Sequence, residues 1–161
     1  MFYIGEDCME KRFYIDSFPY EIELTARICH ENAKRLLERC TKEVSIDEFT
    51  VIDTLIARPG LSQADLARLI LKGKAHTGRF LMSLEAKGLV ERHIEERDGK
   101  LIKVSDITEK GSTLYKNILS KFKPAMTEFD KVISDEDCQK IISKLQEFRA
   151  SIEKVSKIVF E

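Results

Sequence analysis

The chain has 161 residues, of which 43% are hydrophobic and 34% charged, and its 27 Lys and Arg nearly balance 28 Asp and Glu. This length and composition suit one soluble, helix-rich domain with its own core, and they exclude two large domains. No apolar run approaches the ~20 residues of a membrane helix and no secretory signal opens the chain, so we expect a cytoplasmic protein.

Residues 1–18 show no helical periodicity. The tripeptide Phe-Tyr-Ile occurs at Phe2 and again at Phe13, on either side of a polar segment. We predict an N-terminal arm here, either a short pair of strands or an extension laid across a partner subunit.

Two helices are predicted next. From Pro19 to Cys40, apolar residues recur at spacings of four and three, which indicates a helix with one continuous apolar stripe. Ser45, with Glu48 three residues later, marks the capped start of a second helix that runs through Ala57 and ends at the Pro59-Gly60 turn. The stripe of the first helix consists of Ile22, Ala26, Cys29, Ala33, Leu36 and Cys40.

A helix-turn-helix is predicted in the middle of the chain. Ser62, with Asp65 three residues on, resembles a capping box at the start of a helix over Gln63 to Leu71. Lys72-Gly73 separates it from a helix over Ala75 to Lys87. Four residues of this second helix share one helical face, namely Thr77, Phe80, Leu81 and Leu84.

A β-hairpin follows directly. Gly88 lies just past the last helical turn, where a left-handed residue is favoured. Strands are predicted over Leu89 to Glu95 and Leu101 to Asp106, joined by a turn at Asp98-Gly99. A helix-turn-helix followed by a hairpin is the winged-helix arrangement, which usually binds DNA.

The C-terminal third predicts two more helices. One begins at Thr108 and runs to about Lys123, where Pro124 is expected to kink or break it. The other begins at a capping box formed by Ser134 and Asp137. It carries a heptad-like apolar seam made of Ile141, Leu145, Phe148, Ile152, Val155 and Val159.

The two apolar stripes lie at opposite ends of the sequence, outside the small winged-helix segment. Either stripe by itself is explained by packing on the chain's own core, but a chain of this length does not need both for that purpose. We therefore predict a homodimer. Its expected interface consists of Ile22, Ala26, Cys29, Ile141, Leu145, Phe148, Ile152 and Val155.

The ordered motifs resemble the MarR (multiple antibiotic resistance regulator) family of winged-helix transcription factors. The resemblance implies one MarR-like domain over 1–161, mainly α (α+β), with a winged helix-turn-helix lobe at 45–107 and a two-stranded wing. Dimerisation helices at 19–41 and 108–161 would flank the lobe and join two subunits. The matching pieces are Leu61–Ala67, Arg79, Leu84–Arg92, Asp98, Ile107–Gly111, Pro124 and Ile133–Asp137.

The sequence departs from the family pattern in two places. The wing has Asp98-Gly99-Lys100 where Asp-x-Arg is usual, so Arg97 and Lys100 share the role of one Arg. Gly78 stands where a hydroxyl or small branched residue is common. By resemblance, Asp98 is expected to brace its basic neighbour while the wing reaches the minor groove.

The charge distribution is explained either by DNA as a partner or by ordinary variation of surface charge, and the order of the motifs favours DNA. Between Arg58 and Lys103 there are ten Lys and Arg against six Asp and Glu, whereas the rest of the chain is net negative. Arg79 has the length and shape to contact guanine, with a salt bridge to a wing carboxylate as the alternative. The expected DNA contacts are Ser62, Gln63, Lys74, Ala75, His76, Gly78, Arg79, Ser83, Arg97 and Lys100.

The sequence offers three other functions. Enzymatic activity is not expected, because Cys29-His30 is the only adjacent nucleophile–base pair and neighbours on a helix point about 100° apart. Cys29 is a candidate redox sensor by a loose resemblance to peroxide-sensing family members, or simply a small apolar residue of the stripe. A winged helix that binds only protein is the remaining alternative. No cofactor or metal site is predicted; a double-stranded inverted repeat and a small-molecule effector are the expected partners.

Overall fold

The computed structural model describes residues 14–160, with side chains up to Val155. These residues fall into two units that divide between Ser120 and Lys121. Most of the predicted N-terminal arm, residues 1–13, lies outside the described residues. Its last part contains a short 3-10 helix, Tyr14–Asp16, followed by the cap of the first long helix.

The first long helix, α1, spans Phe18–Cys40. Ser17 caps it by accepting a hydrogen bond from the Tyr20 amide, and Pro19 occupies the first turn, where a missing N–H costs nothing. Among the residues of α1, only Leu37 is buried. Leu37 is not part of the predicted apolar stripe, and all six residues of that stripe are exposed or half-buried in the single chain.

Helix α2 spans Ile46–Ala57, as predicted from its cap. Ser45 Oγ accepts from the Glu48 amide at 3.2 Å, and Glu48 Oε2 accepts from the Ser45 amide at 2.8 Å, which completes a capping box. Helix α3 spans Gln63–Leu69 and ends two residues earlier than predicted. It ends because Leu71 takes a left-handed backbone conformation with φ +55°, before α4 begins at Lys74.

Helix α4 spans Lys74–Ala86, and Gly88 beyond it has φ +69°, as a left-handed residue at this position requires. Strands β1, Val90–Arg97, and β2, Lys100–Ile107, pair antiparallel and are slightly longer than predicted. Asp98 and Gly99 have φ +51° and +72°, which is the geometry of a two-residue hairpin turn of type I′.

The core of the first unit joins α2, α3, α4, both strands and the start of the next helix, α5, which spans Glu109–Asp130. Gly111 at the start of α5 is required by packing, because a Cβ there would lie 2.2 Å from the Leu89 carbonyl oxygen. Further along α5, Tyr115 stacks on Phe49 and donates to Asp53 at 2.7 Å. The side chains that are almost fully buried are Leu37, Ile52, Leu66, Leu81, Leu84, Leu89, Val104 and Ile118.

Pro124 was predicted to kink or break α5, and the break does not occur. The helix continues through it to Asp130, seven residues beyond the expected end at Lys123. A proline removes one backbone hydrogen bond, and the bonds on either side are sufficient to carry a long helix across it.

The second unit contains the end of α5 and helix α6, Asp135–Phe160. Ser134 caps α6 by accepting from the Asp137 amide at 3.1 Å, as predicted. Among the described helices, none combines the length and the apolar character that crossing a membrane would require.

Candidate nucleic-acid interface

Helix α4 has one buried face and one exposed face, as its periodicity predicted. Thr77, Leu81 and Leu84 are completely buried against the core. The opposite face presents exposed side chains to solvent, and these are Ala75, His76, Arg79 and Met82. A helix held by one apolar face, with the other face open, has the geometry needed to enter a major groove.

Arg79 lies near the middle of this exposed face. It forms no ion pair with any residue that the structure describes, so the alternative of a salt bridge to a wing carboxylate is not realised. Its guanidinium keeps all five donors for a ligand, including the pair that matches guanine O6 and N7.

Gly78 lies on the flank of α4, where it contacts α3. A Cβ at this position would lie 3.0 Å from Gln63 Nε2, and the same amide donates to the Lys74 carbonyl at 3.3 Å. The small residue therefore allows the start of α3 to approach α4. The close approach of DNA at Gly78 stays a prediction, and periodicity alone does not show which neighbouring helix lies on each flank.

Ser83 lies on the opposite flank, and it also faces the protein. Its hydroxyl donates to Glu48 Oε1 at 2.6 Å, and Lys87 Nζ binds the same oxygen at 2.7 Å. The predicted DNA contact by Ser83 must therefore compete with an internal bond. Glu48 is only 6% exposed, and its role in holding α4 was not predicted beyond the capping of α2.

The pKa of Glu48 reflects two opposing causes. Burial acts to raise it, but hydrogen bonds from Lys87, Ser83 and the Ser45 amide outweigh burial and leave the pKa below its ordinary value. The carboxylate is thus charged at neutral pH, and it binds α2 to the last turn of α4 by charge-assisted hydrogen bonds.

Ser62 caps α3 rather than presenting a free hydroxyl. Its Oγ accepts from the Asp65 amide at 3.1 Å and donates to Asp65 Oδ2 at 2.5 Å. The Ser62 bond, aided by Arg68, holds the pKa of Asp65 below its ordinary value. The predicted DNA contacts of Ser62 and Gln63 stay predictions.

In the wing, Glu95 holds Arg97, and the prediction that Asp98 acts as the brace is wrong. Arg97 Nη2 and Nε donate to Glu95 Oε2 at 2.6 and 2.9 Å. Residues two apart on a strand share a face, whereas Asp98 lies in the turn and makes no ion pair among the described residues. Lys100 is exposed at the other end of the turn.

His93 shares Glu95 with Arg97. Its Nε2 lies 2.9 Å from Glu95 Oε1, and its Nδ1 lies 3.5 Å from Asp106 Oδ2. The bond to Glu95, together with the nearby charge of Asp106 and Glu91, raises the pKa of His93.

The predicted dimer residues do not form a buried core in the single chain. On α1, Ala26 and Cys29 are exposed and Ile22 is half-buried. On α6, Ile141 and Val155 are 48% and 44% exposed. Leu145, Phe148 and Ile152 are half-buried. In the part of the chain that the structure describes, no group of three His, Cys, Asp or Glu side chains is placed to hold a metal ion.

These features define a winged helix-turn-helix protein: two helices at a tight turn, a two-stranded wing, and an open cationic face on α4. A model of the MarR family matches residues 44–102, which include all of these elements except the end of the wing. None of the curated proteins compared with the sequence matches it.

Solved structures share the fold over most of the described chain. One is the MepR–DNA complex of S. aureus, with 20% identity and a TM-score of 0.70, covering 87% of this chain and 99% of that chain. Another is a transcriptional regulator (MarR family) from Rhodococcus sp. RHA1, with 16% identity, a TM-score of 0.70 and coverages of 86% and 96%. A third is the PcaV regulator from Streptomyces coelicolor in complex with its natural ligand, with 15% identity, a TM-score of 0.64 and coverages of 88% and 97%.

The resemblance to the MarR family is therefore confirmed. The winged-helix segment carries the sequence pattern of the family, and the chain has the fold of its members. Residues 44–102 thus match the MarR family in sequence, and the chain has the winged-helix fold of solved MarR-family structures.

Proposed function

We propose that this protein is a homodimer that binds double-stranded DNA sequence-specifically and acts as a transcriptional repressor. The observation that carries the proposal is the exposed face of α4, on which Arg79 lies free of internal ion pairs among the described residues. The cationic surplus between Arg58 and Lys103 includes this helix and nearly all of the wing. The DNA bound by MepR supports the same use of the fold.

The dimer part of the proposal is supported by two apolar helix faces. Apolar side chains exposed to this extent on α1 and α6 are normally buried by a partner, and a second copy of the chain can bury them with its own α1 and α6. We expect Leu145→Glu or Phe148→Glu to give monomers or insoluble protein. A wild-type protein that sediments as a monomer at micromolar concentration would refute the dimer.

Release from DNA by a small molecule or an oxidant completes the proposal. A cavity of about 150 Å³ lies between α1 and the winged-helix lobe and is lined by His30, Asp47, Thr50, Ile70 and Lys72. Cys29, which precedes His30 on α1, is exposed as a free thiol. A ligand that binds two arrangements of the dimer unequally shifts DNA affinity. Indifference of DNA binding to both aromatic acids and peroxide would leave a constitutive repressor.

The decisive experiment is selection of duplexes from a random pool by the purified protein at physiological salt. A two-fold dimer with one α4 helix per subunit is expected to select an inverted repeat with half-site centres about 10 bp apart. Selected sequences without two-fold symmetry would contradict the proposed binding mode. Failure to retain any duplex would instead favour the alternative, a winged helix that binds only protein.

A further inference from the structure

A small cleft separates the wing from the flank of α4, and its cationic residues were not among the predicted DNA contacts. Its volume is about 150 Å³. Gln63 from α3 and Glu85 from α4 line one side, while Arg92, Lys103 and Ser105 line the other. We call it the wing cleft.

The register of the hairpin places the cationic residues on one surface. Arg92 pairs with Ser105, and Ile94 pairs with Lys103. Because side chains alternate along a strand and cross-strand partners share a side, these four residues belong to the same face of the wing. Gln63 is fixed at the edge of the cleft by its bond to the Lys74 carbonyl.

Two cations of the wing cleft have donors to spare. Arg92 Nε is buried and lies 2.9 Å from Glu85 Oε2, but at an angle that makes no hydrogen bond with any described residue. Lys103 is exposed and has no ion pair within the described part of the chain. Because Arg92 Nε has almost no accessible surface, the cationic groups open to an acceptor that enters the cleft are Lys103 and the other guanidinium nitrogens of Arg92, whose side chain is 29% exposed.

The position of the wing cleft indicates where that acceptor comes from. Glu85 lies about 120° around α4 from Arg79, at 100° per residue. When a helix lies in the major groove, the sugar-phosphate backbones run along its flanks, and a wing covers one of them. The wing cleft is therefore beside the backbone of any duplex whose bases Arg79 contacts.

We propose that the wing cleft binds one backbone phosphate of the DNA in each half-site, with Lys103 and Arg92 as its cationic donors and the Gln63 amide as a third. This proposal rests on the proposed function. A phosphodiester carries one negative charge and several acceptors, which suits a fork of Arg donors and a mobile Lys ammonium. The Glu85 carboxylate, 2.9 Å from Arg92 Nε, offsets part of the positive charge of the cleft, so Lys103 supplies the net charge that attracts a phosphate.

The test is a double-mutant cycle that combines substitutions in the protein with changes to single phosphates of the DNA. In duplexes carrying the selected site, each phosphate near the half-site is replaced in turn by a neutral methylphosphonate, and affinities are measured for wild type, Lys103→Met and Lys116→Met. Lys116 is an exposed lysine of α5 outside the wing cleft and serves as the matched control. Thermal unfolding of each variant establishes that it is folded.

For wild type and Lys116→Met, we expect one methylphosphonate position per half-site to weaken binding roughly tenfold, because charge-assisted hydrogen bonds are lost. Lys103→Met already lacks this contact, so the same methylphosphonate should weaken its binding little further. The salt slope of its binding should also fall by about one per subunit. Arg92→Lys, which keeps the charge and loses the fork, should weaken the same position without abolishing it.

Three results would overturn the proposal. If no position distinguishes Lys103→Met from Lys116→Met while the site is still bound selectively, the wing cleft does not hold a phosphate, although the proposed function stands. If inorganic phosphate saturates the cleft of the free protein and no DNA position is coupled to Lys103, the cleft is a site for free anions. If no duplex is bound at all, both proposals fail together.

Discussion

The flank of α4 that faces α2 and the flank that faces the wing contain similar residues but use them differently. Toward α2, Glu48 is buried and its carboxylate accepts bonds from Ser83, Lys87 and the Ser45 amide. Toward the wing, Glu85 meets Arg92 across a cleft, and the buried Nε of Arg92 makes no hydrogen bond with any described residue. A satisfied network fixes a helix, whereas unsatisfied donors leave binding capacity for a ligand. One flank therefore positions α4, and the other is available to its partner.

The largest effect is expected from breaking the α2 flank. Glu48→Ala removes a buried carboxylate, the capping box of α2 and the anchor of the last turn of α4. We expect it to lower the free energy of unfolding by about 2–4 kcal/mol, measured by urea denaturation. The matched control is Asp47→Ala, which removes a largely solvated pair with Lys72 and should cost less than about 1 kcal/mol. Equal losses of unfolding free energy in the two variants would show that the burial of Glu48 does not increase its contribution to stability.

Arg79→Ala tests the exposed face between the two flanks. It should leave the free energy of unfolding unchanged, because Arg79 contacts no described partner. It should cost about 1–3 kcal/mol of DNA affinity and relax preference at one base pair per half-site. Lys74→Ala and Lys100→Ala should instead weaken all sequences evenly and flatten the salt dependence. An unchanged ranking of sequences with Arg79→Ala would remove it as a base contact.

A smaller effect is expected at the tip of the wing. Glu95→Gln releases Arg97 from an ion pair in which both side chains are more than a third exposed. Because such pairs contribute only about 0.2–1 kcal/mol, DNA affinity should rise no more than a few-fold. Asp98→Asn is the control for net charge, because it also removes one negative charge from the wing, at the turn residue that follows Arg97. If the two variants raise affinity equally, charge alone is responsible and Glu95 does not restrain Arg97.

The smallest effect is on the pH dependence of stability, which should have opposite signs for the two flanks of α4. The pKa of His93 is raised, chiefly by Glu95, so its pairing stabilises the fold below the ordinary value of 6.5 and is lost as pH rises through the raised value. The pKa of Glu48 is lowered, so its contribution is present above the ordinary value of 4.5 and is lost as pH falls through the lowered value. The difference in Tm between wild type and His93→Gln should vanish on raising pH, and that for Glu48→Gln on acidification. The opposite trend in either variant would reverse the assigned pKa direction.

Local signals along the chain predicted the elements well where the physical cause is itself local. The capping box at Ser45 and Glu48, the left-handed Gly88 and the Asp98-Gly99 turn all depend on backbone geometry within a few residues. The same is true of the apolar face of α4. Pro124 was misjudged because the cost of one missing hydrogen bond depends on the helix around it.

The site was predictable only in part. The exposed face of α4 followed from the period of its buried face, and Arg79 followed with it. The spacing of Glu95 and Arg97 on a strand was a usable signal for the wing brace, but family resemblance pointed to Asp98 instead. Ser83 and Glu48 are 35 residues apart in the sequence, so no local pattern predicts the hydrogen bond between them.

The sequence by itself determined which segments become helix, strand and turn, which face of each helix is apolar, and that a winged helix results. These properties follow from periodicity, capping and backbone preference, which act between near neighbours. Only the tertiary structure decided which polar residues of α4 are used internally and which are open. That choice depends on which element lies against each flank, since α2 engages Ser83, α3 contacts Gly78, and the wing leaves Lys103 without an ion pair among the described residues.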